Sequence, residues 1–331
     1  MPINLFKLPS VVFREIFQEW TPLEFYSLAK CSKRLLSLVK SIKTENWRII
    51  SIEPESITLS CGVYGDYTFQ ISENPDVPRL LEVHPRIRML RHPEEGVSDL
   101  LADCSELFGI TVIDKLDAKN FIFFDHFLKL SKLIVDRKLE VKRLFFEDLN
   151  FYIRNVAGVI PFLNVMKITE NLFYSHYLEN GFQPNFARFP KTIFIKGSSW
   201  FNIEQLLDCT SIRIKLEDSM LTNEDMDRLL RKWKRNEMPN LQWIKVCSQK
   251  IHPRDTPILD MRLPIEVQFN PTGHSVIFDD NSRVWLSGGI EITADDGTIG
   301  YLKCSGHELE FIVPKPSKKF ACPVLIRKRN S

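Results

Sequence analysis

Short segments with the alternating pattern of β-strands recur through the middle of this chain, and they constrain its fold more than any other feature. They are separated by intervals of about 20 to 30 residues. The segments are 143–148, 165–170, 192–197, 211–218 and 241–248. Helices are predicted at 120–133, 202–208 and 222–237. Strands and helices that alternate in this way predict an irregular, leucine-rich-repeat-like α/β region, resembling a solenoid with a parallel sheet, over residues 121–252.

The region before these repeats has a weaker pattern. Residues 49–120 are predicted to form a connector with short strands and a helix at 97–108. The strand candidates are 49–59 and 64–71. A proline-rich passage at 75–93 is predicted to be irregular, because proline breaks both helices and central strands.

The region after the repeats has no helical pattern. Residues 253–325 hold short strand candidates, at 263–269, 275–278, 284–286, 290–293, 298–303 and 309–313. Turn residues separate them, among them Asp296-Gly297, a favoured two-residue hairpin turn. The pattern predicts a small antiparallel β module at this end of the chain. The basic tail 326–331 is predicted to be disordered.

The N-terminal residues 5–47 encode a small helical unit that is rich in large apolar residues. Between Leu8 and Trp20 the apolar residues fall three and four positions apart, the spacing of one helical face. Thr21 and Glu24 are then spaced as the capping box of a second helix. Three short helices bury little surface alone, so the excess predicts contact with a partner protein or with the rest of the chain.

The order of these N-terminal residues resembles the F-box. The matching positions are Leu8-Pro9, Ile16-Phe17, Thr21-Pro22, Leu28, Cys31-Ser32-Lys33-Arg34 and Trp47. Ser10-Val11 replaces the acidic pair that often follows the opening dipeptide, which leaves the apolar pattern whole. The resemblance assigns an F-box to residues 1–48. It implies docking on a Skp-family adaptor and, through the adaptor, on a cullin ubiquitin ligase.

This resemblance implies an adaptor-binding site made mostly of apolar side chains. The residues are Leu8, Pro9, Val12, Ile16, Phe17, Trp20, Pro22, Leu23, Leu28 and Cys31. Full burial of a large apolar side chain is worth roughly 1.5–3 kcal/mol, so a few anchors are expected to dominate. The alternative is an ordinary helical subdomain whose apolar residues pack against the rest of the chain.

Residues 97–313 resemble the F-box-associated type 2 region of nematode-type F-box proteins. The matching segments are the helix at 98–108, the strands at 191–199 and 211–218, the segment 226–246 and the hairpin at 290–303. In that family the associated region is thought to hold the ligase substrate. The resemblance therefore implies that residues 140–313 bind a protein target.

Aromatic and basic residues of this region are the expected target contacts, since Trp and Arg are common interface anchors. They are Trp200, Phe201, Arg231, Lys232 and Arg235, which we expect to be exposed. The basic residues also have a simpler explanation, because acids at a helix start and bases at its end suit the helix macrodipole. A solvated face, contact with an acidic protein and nucleic-acid binding are the alternatives for this run.

Composition narrows the function classes. The formal net charge is +2 over 331 residues, which predicts no binding to nucleic acid or to an acidic membrane surface. The seven cysteines form no C-x-x-C pair, and no histidine stands at ligand spacing beside them, so neither a metal site nor a cofactor is expected. Free thiols suit a reducing compartment and predict a location in the cytoplasm, the nucleus or both.

Motifs for catalysis are missing from the sequence. It has no phosphate-binding Gly-rich loop, no Gly-x-Ser-x-Gly elbow and no His-Glu-x-x-His helix. His274 stands beside Ser275, but neighbouring strand residues point to opposite faces. No catalytic residue is therefore predicted, and an enzyme is the least supported class. The leading hypothesis is the substrate receptor of a Skp–cullin–F-box ligase, and the alternative is an F-box scaffold that binds the adaptor without directing ubiquitination.

Overall fold

Trp200 ends the first of two units into which the polypeptide divides, Met1–Trp200 and Phe201–Ser331. The computed structural model describes residues 9, 11, 12, 15, 20–41, 47–60, 65–72, 80–84, 86–91, 96–118, 124–146, 160–175, 186, 188–266, 273–278 and 281–314. Both units combine helices with strands, which confirms the predicted mixed α/β class. None of the described helices is long and apolar enough to cross a membrane.

The described part of the first unit is built from short helices and strands. The helices are α1 (Pro22–Cys31), α2 (Lys33–Ser41), α3 (Gly96–Phe108), α4 (Phe124–Asp136) and α5 (Ile160–Val165). The strands are β1 (Arg48–Glu53), β2 (Ser56–Ser60), β3 (Asp66–Ser72), β4 (Leu80–His84), β5 (Ile87–Arg91), β6 (Val112–Asp117), β7 (Glu140–Phe146), β8 (Lys167–Tyr174) and β9 (Thr192–Ile195). A 3-10 turn, Ser198–Trp200, ends the unit.

Parallel pairing dominates one half of the first unit's sheet. Its strands lie in the order β9-β8-β7-β6-β1-β2-β3-β5-β4. Neighbours from β9 to β1 are parallel, with Leu144 of β7 opposite Leu172 of β8. β1, β2 and β3 form an antiparallel meander, and β5 pairs with β3 in parallel and with β4 antiparallel. Parallel neighbours need a crossover connection, so α4 and α5 lie in the chain between β6, β7 and β8.

The core of the first unit combines buried residues from both kinds of element. Fully buried strand residues include Ile113, Val141 and Leu144. Fully buried helix residues include Leu100, Leu101, Leu130 and Ile134. These apolar faces stay out of water only when the helices cover one face of the sheet, which is the main source of stability in such a layered fold.

The second unit has a smaller sheet. Its described helices are α6 (Ile203–Leu207) and α7 (Asn223–Lys234). Its strands are β10 (Arg213–Ser219), β11 (Trp243–Ser248), β12 (Gly273–Ile277), β13 (Arg283–Ser287), β14 (Ile290–Thr293), β15 (Ile299–Ser305) and β16 (Glu308–Ile312). The sheet order is β14-β15-β16-β11-β10, with β10 and β11 parallel and the other pairs antiparallel. β12 and β13 form a separate antiparallel ribbon.

Most of the predicted strands and helices are present. Each of the central strand segments overlaps one of the strands β7 to β11, and the candidates 49–59 and 64–71 correspond to β1 with β2 and to β3. The predicted helices at 97–108, 202–208 and 222–237 correspond to α3, α6 and α7. Helix α4 begins at Phe124, and the earlier residues of its predicted range lie outside the described part. The leucine-rich-repeat-like layout itself stays a prediction.

Two sequence predictions need correction. The proline-rich passage is not wholly irregular, because β4 and β5 lie between its prolines. The C-terminal strands include the antiparallel pairs β14–β15 and β15–β16, but β16 also pairs with β11, so the boundary predicted at residue 253 does not separate two sheets of the second unit. The predicted strand at 263–269 contributes only an isolated bridge between Ile265 and Cys304 within the described residues. Residues 326–331 lie outside the described part.

Candidate protein-binding surfaces

A capping box determines where helix α1 begins. The Glu24 backbone N–H donates to the Thr21 hydroxyl at 3.3 Å, and the Thr21 backbone N–H donates to the Glu24 carboxylate at 2.7 Å. Pro22 takes the first helical position, where its missing N–H costs nothing. The predicted helix start at Thr21 is therefore confirmed.

The buried face of α1 packs inside the first unit. Leu23 and Tyr26 are almost fully buried, and the Tyr26 ring lies 4.9 Å from the Phe69 ring of β3. The Tyr26 hydroxyl donates to Asp103 of α3 at 3.0 Å, and Lys30 forms an ion pair with the same carboxylate. Burial raises the pKa of Tyr26, and the nearby Asp103 charge raises it further. The described N-terminal helices are thus an integral part of the first unit.

The residues predicted to bind the adaptor are not equally accessible. Leu8, Ile16 and Phe17 lie outside the described residues. Pro9, Val12 and Cys31 are exposed, whereas Trp20 and Leu28 are partly exposed. Pro22 and Leu23 are buried within the unit, which corrects the expectation that they present a docking surface. Because their side chains fill the space under α1, they can only support such a surface from beneath.

Helix α2 adds apolar side chains that the predicted adaptor site omits. Leu35, Leu36 and Leu38 are half-buried, and Val39 is buried. These side chains are three and four positions apart, a spacing that marks the apolar face of one helix and is visible in the sequence. Together with the exposed Val12, these leucines leave apolar surface on the N-terminal helices.

Helix α7 carries the basic residues that were predicted to contact a target. It begins at a capping box in which Thr222 and Asp225 bond each other's backbone N–H groups. Met226, Leu229 and Trp233 are buried on its inner face, and the Trp233 ring lies 4.7 Å from the Phe311 ring of β16. The basic residues therefore project from a helix whose position is fixed by its core contacts.

These basic side chains already have partners within the second unit. Arg231 bonds Asp227 at 2.7 Å and Asp260 at 3.1 Å, and Arg235 pairs with Glu237 at 2.9 Å. Lys232 donates to the Leu207 carbonyl at the end of α6, at 2.8 Å. A target would have to compete for them, so their role in target binding stays a prediction.

The two aromatic residues of the predicted target site are buried. Trp200 is 7% exposed, and its ring lies 5.8 Å from the Tyr174 ring and 6.2 Å from the Phe186 ring. Phe201 is 1% exposed. The expectation that both are exposed is wrong, because their large apolar rings are more stable in the core than in water. The sequence Gly197-Ser198-Ser199 suggests a surface loop, but Ser198 and Ser199 belong to a 3-10 turn in which Ser198 and Trp200 are buried.

A pocket of about 230 Å³ lies where α6 and α7 approach the starts of β10 and β11. Lys232, Cys209 and Met238 are among its lining residues. Burial raises the pKa of the Cys209 thiol, which keeps it protonated and a poor nucleophile. In the part of the chain that the structure describes, no group of His, Cys, Asp and Glu residues could hold a metal ion.

The β12–β13 ribbon is a surface that the sequence prediction did not include. Its inner side chains, Val276 and Leu286, are each 2% exposed and face the sheet of the second unit. The Arg213 guanidinium lies 4.1 Å from the Phe278 ring centroid and donates to the Ser282 hydroxyl at 2.8 Å. These contacts hold the ribbon against the sheet. Strand alternation would then direct Ile277 and Trp285 outward, a signal that is visible in the sequence.

Part of this chain is similar to a known protein family. The model of a family described as F-box associated matches residues 182–246, which include β9, α6, β10, α7 and most of β11. Over these residues, the match confirms the predicted resemblance to an F-box-associated region and is consistent with the nematode type. The F-box itself is not detected. No curated protein and no solved structure matches the chain.

Proposed function

We propose that this protein is the substrate-recognition subunit of a Skp–cullin–F-box ubiquitin ligase. The F-box-associated match at residues 182–246 carries the proposal. The apolar N-terminal helices before it supply the proposed adaptor contact, and the second unit supplies surface for a protein target. In this role the chain catalyses no covalent step, and it works in the cytoplasm, the nucleus or both.

The N-terminal helices and the second unit are proposed to bind different partners. The exposed positions Pro9, Val12 and Cys31, with the half-buried leucines of α2, would contact the Skp adaptor. Residues of the second unit would contact the target. Since α1 packs against α3 and β3, joining residues 1–48 to another protein would uncover the Tyr26 and Phe69 rings. Point variants are therefore a cleaner test than exchange of the F-box segment.

The adaptor contact can be tested by co-purification from cells. Leu8-Pro9→Ala-Ala and Val12→Asp should each abolish recovery of the Skp adaptor and cullin, because a buried interface anchor is lost or charged. Glu224→Lys is a matched control, since this exposed residue lies on α7. Thermal unfolding should be unchanged in Val12→Asp. Wild-type recovery of the adaptor by both variants would refute the proposal.

The alternative is a scaffold that binds the adaptor without directing ubiquitination. Both functions use the same adaptor contact, so adaptor recovery cannot separate them. Mass spectrometry of co-purified proteins, followed by the half-life of each candidate target in cells with wild-type chain or Val12→Asp, does separate them. A receptor shortens the half-life of at least one target, whereas a scaffold changes none.

A further inference from the structure

The outer face of the β12–β13 ribbon exposes large apolar side chains at positions where a solvated strand normally carries polar ones. Ile277 is 62% exposed and Trp285 is 57% exposed. Ile277 lies opposite Arg283, and Ser275 lies opposite Trp285, so these side chains share one face of the ribbon. We call Ile277, Arg283 and Trp285 the Trp285 face.

The ring of Trp285 is held in place by its surroundings. A Cβ atom added at Gly273 would lie 1.8 Å from the ring, so the ring rests directly on the backbone of the neighbouring strand. The Arg283 guanidinium lies 5.2 Å from the ring centroid and donates to the Ser275 hydroxyl at 2.9 Å. An aromatic ring and a cation that are already ordered lose little entropy when a partner binds.

Among the residues that the structure describes, no acidic side chain neutralises the charge of this face. Within the described residues, Arg283 contacts Ser275 and Trp285 but pairs with no carboxylate. In the same unit, Arg228, Arg231 and Arg235 all form ion pairs with acidic side chains. A carboxylate of a partner would accept a charge-assisted hydrogen bond from the Arg283 guanidinium.

The face itself argues against two other occupants. Nucleic acid usually requires several cations along a groove, whereas this ribbon face offers one. A symmetric contact with a second copy requires a self-complementary patch. The outward positions of the paired residues, Gly273, Ser275, Ile277, Arg283, Trp285 and Ser287, include no acid within the described part of the ribbon.

We propose that the Trp285 face binds a protein segment in which an acidic residue lies next to bulky apolar residues. The apolar side chains pack on Trp285 and Ile277 while the carboxylate bonds Arg283. The identification of the bound segment as part of a ligase target rests on the proposed function.

The test is a selection of random dodecapeptides displayed on phage against the immobilised full-length chain at physiological salt. Enriched peptides should combine Asp or Glu with Phe, Leu, Ile or Trp. A synthetic enriched peptide should lose about 30-fold in affinity with Trp285→Ala, the loss typical of an interface anchor. Arg283→Glu should select basic peptides instead. Gly273→Ala should weaken binding because it displaces the ring without removing it.

Ser287→Ala is the matched control, because this exposed residue shares the ribbon face but touches neither Trp285 nor Arg283 in the contacts described above. Selection of peptides without an acidic preference, or equal binding to wild type, Trp285→Ala and Arg283→Glu, would overturn the proposal. Binding of oligo(dT) that depends on Trp285 would overturn it in favour of nucleic acid. A dimer that Trp285→Ala dissociates would overturn it in favour of a second copy.

The selection needs neither adaptor nor cullin, so its result is independent of the ligase role. If the wild-type chain selects no acidic–apolar peptide but recovers the adaptor normally, this site alone is refuted. Normal peptide binding without adaptor recovery would refute the proposed ligase function alone.

Discussion

The N-terminal helices and the β12–β13 ribbon both place apolar residues on short, polar elements, but they use them in opposite ways. Helix α1 buries Leu23 and Tyr26 inside its own unit, whereas the ribbon leaves Ile277 and Trp285 exposed. The sequence predicted a larger excess of apolar surface for the N-terminal helices than for the ribbon. An excess of apolar residues in a sequence therefore indicates which side chains must be shielded from water. It does not indicate whether the chain itself or a partner shields them.

The largest expected effect tests whether α1 belongs to the core. Leu23 is 1% exposed, so Leu23→Ala should lower the free energy of unfolding by about 2–5 kcal/mol, the range for buried leucines. Leu28→Ala, on the partly exposed side of the same helix, is the control and should cost less. Denaturant unfolding measures both. Equal, small losses would show that α1 does not contribute to the stability of the unit.

A second prediction tests the same contact through its pH dependence. Burial and the neighbouring Asp103 raise the folded-state pKa of Tyr26. Above about pH 10 the unfolded chain loses this proton while the folded chain keeps it, so stability falls as pH rises. Tyr26→Phe should remove about 1.4 kcal/mol of the loss between about pH 9 and 11.

Unfolding free energies of wild type and Tyr26→Phe across this range give the comparison. Buried groups that do not interact with Tyr26, such as Tyr174 with its raised pKa, contribute equally to both proteins and cancel in the difference. Parallel pH profiles would contradict the burial of the Tyr26 hydroxyl.

The smallest expected effect concerns the ribbon. Trp285→Ala should change the free energy of unfolding by less than about 0.5 kcal/mol, as is usual for an exposed side chain, even though it removes a large ring. Leu286→Ala, one residue further along and 2% exposed, should cost about 2–5 kcal/mol. Thermal or denaturant unfolding of the two variants compares the two faces of one strand. A large loss of unfolding free energy in Trp285→Ala would show that the ring stabilises the fold.

Local patterns in the sequence predicted most helices and strands but not which of them pack or pair with each other. The capping boxes at Thr21 and Thr222 depend on residues three positions apart, so both helix starts were visible. Strand β6 was missed because its alternation is interrupted by the buried Asp114, which pairs with Lys142 of β7 at 2.7 Å. That carboxylate is stabilised by a residue far along the chain, which a local pattern cannot reveal.

The candidate sites were harder to predict, because exposure depends on tertiary packing. Trp200 and Phe201 have the composition of an interface but lie in the core. Trp285 was omitted although strand alternation directs it outward, because a lone tryptophan in a strand suggests core packing as readily as binding. Pairing of β16 with β11 was invisible for a different reason, since a sheet edge gives no indication in sequence of which strand will join it.

The position of Cys31 gives the N-terminal helices a built-in chemical handle. Its thiol is exposed at the end of α1, whereas Cys104, Cys209 and Cys304 are buried, with pKa values that burial raises. Among the described cysteines, a maleimide dye at neutral pH would therefore react fastest with Cys31. The attached fluorophore would lie within the proposed adaptor contact, because Cys31 is one of the residues of that contact. Its emission could then follow complex assembly in real time without a fused reporter protein.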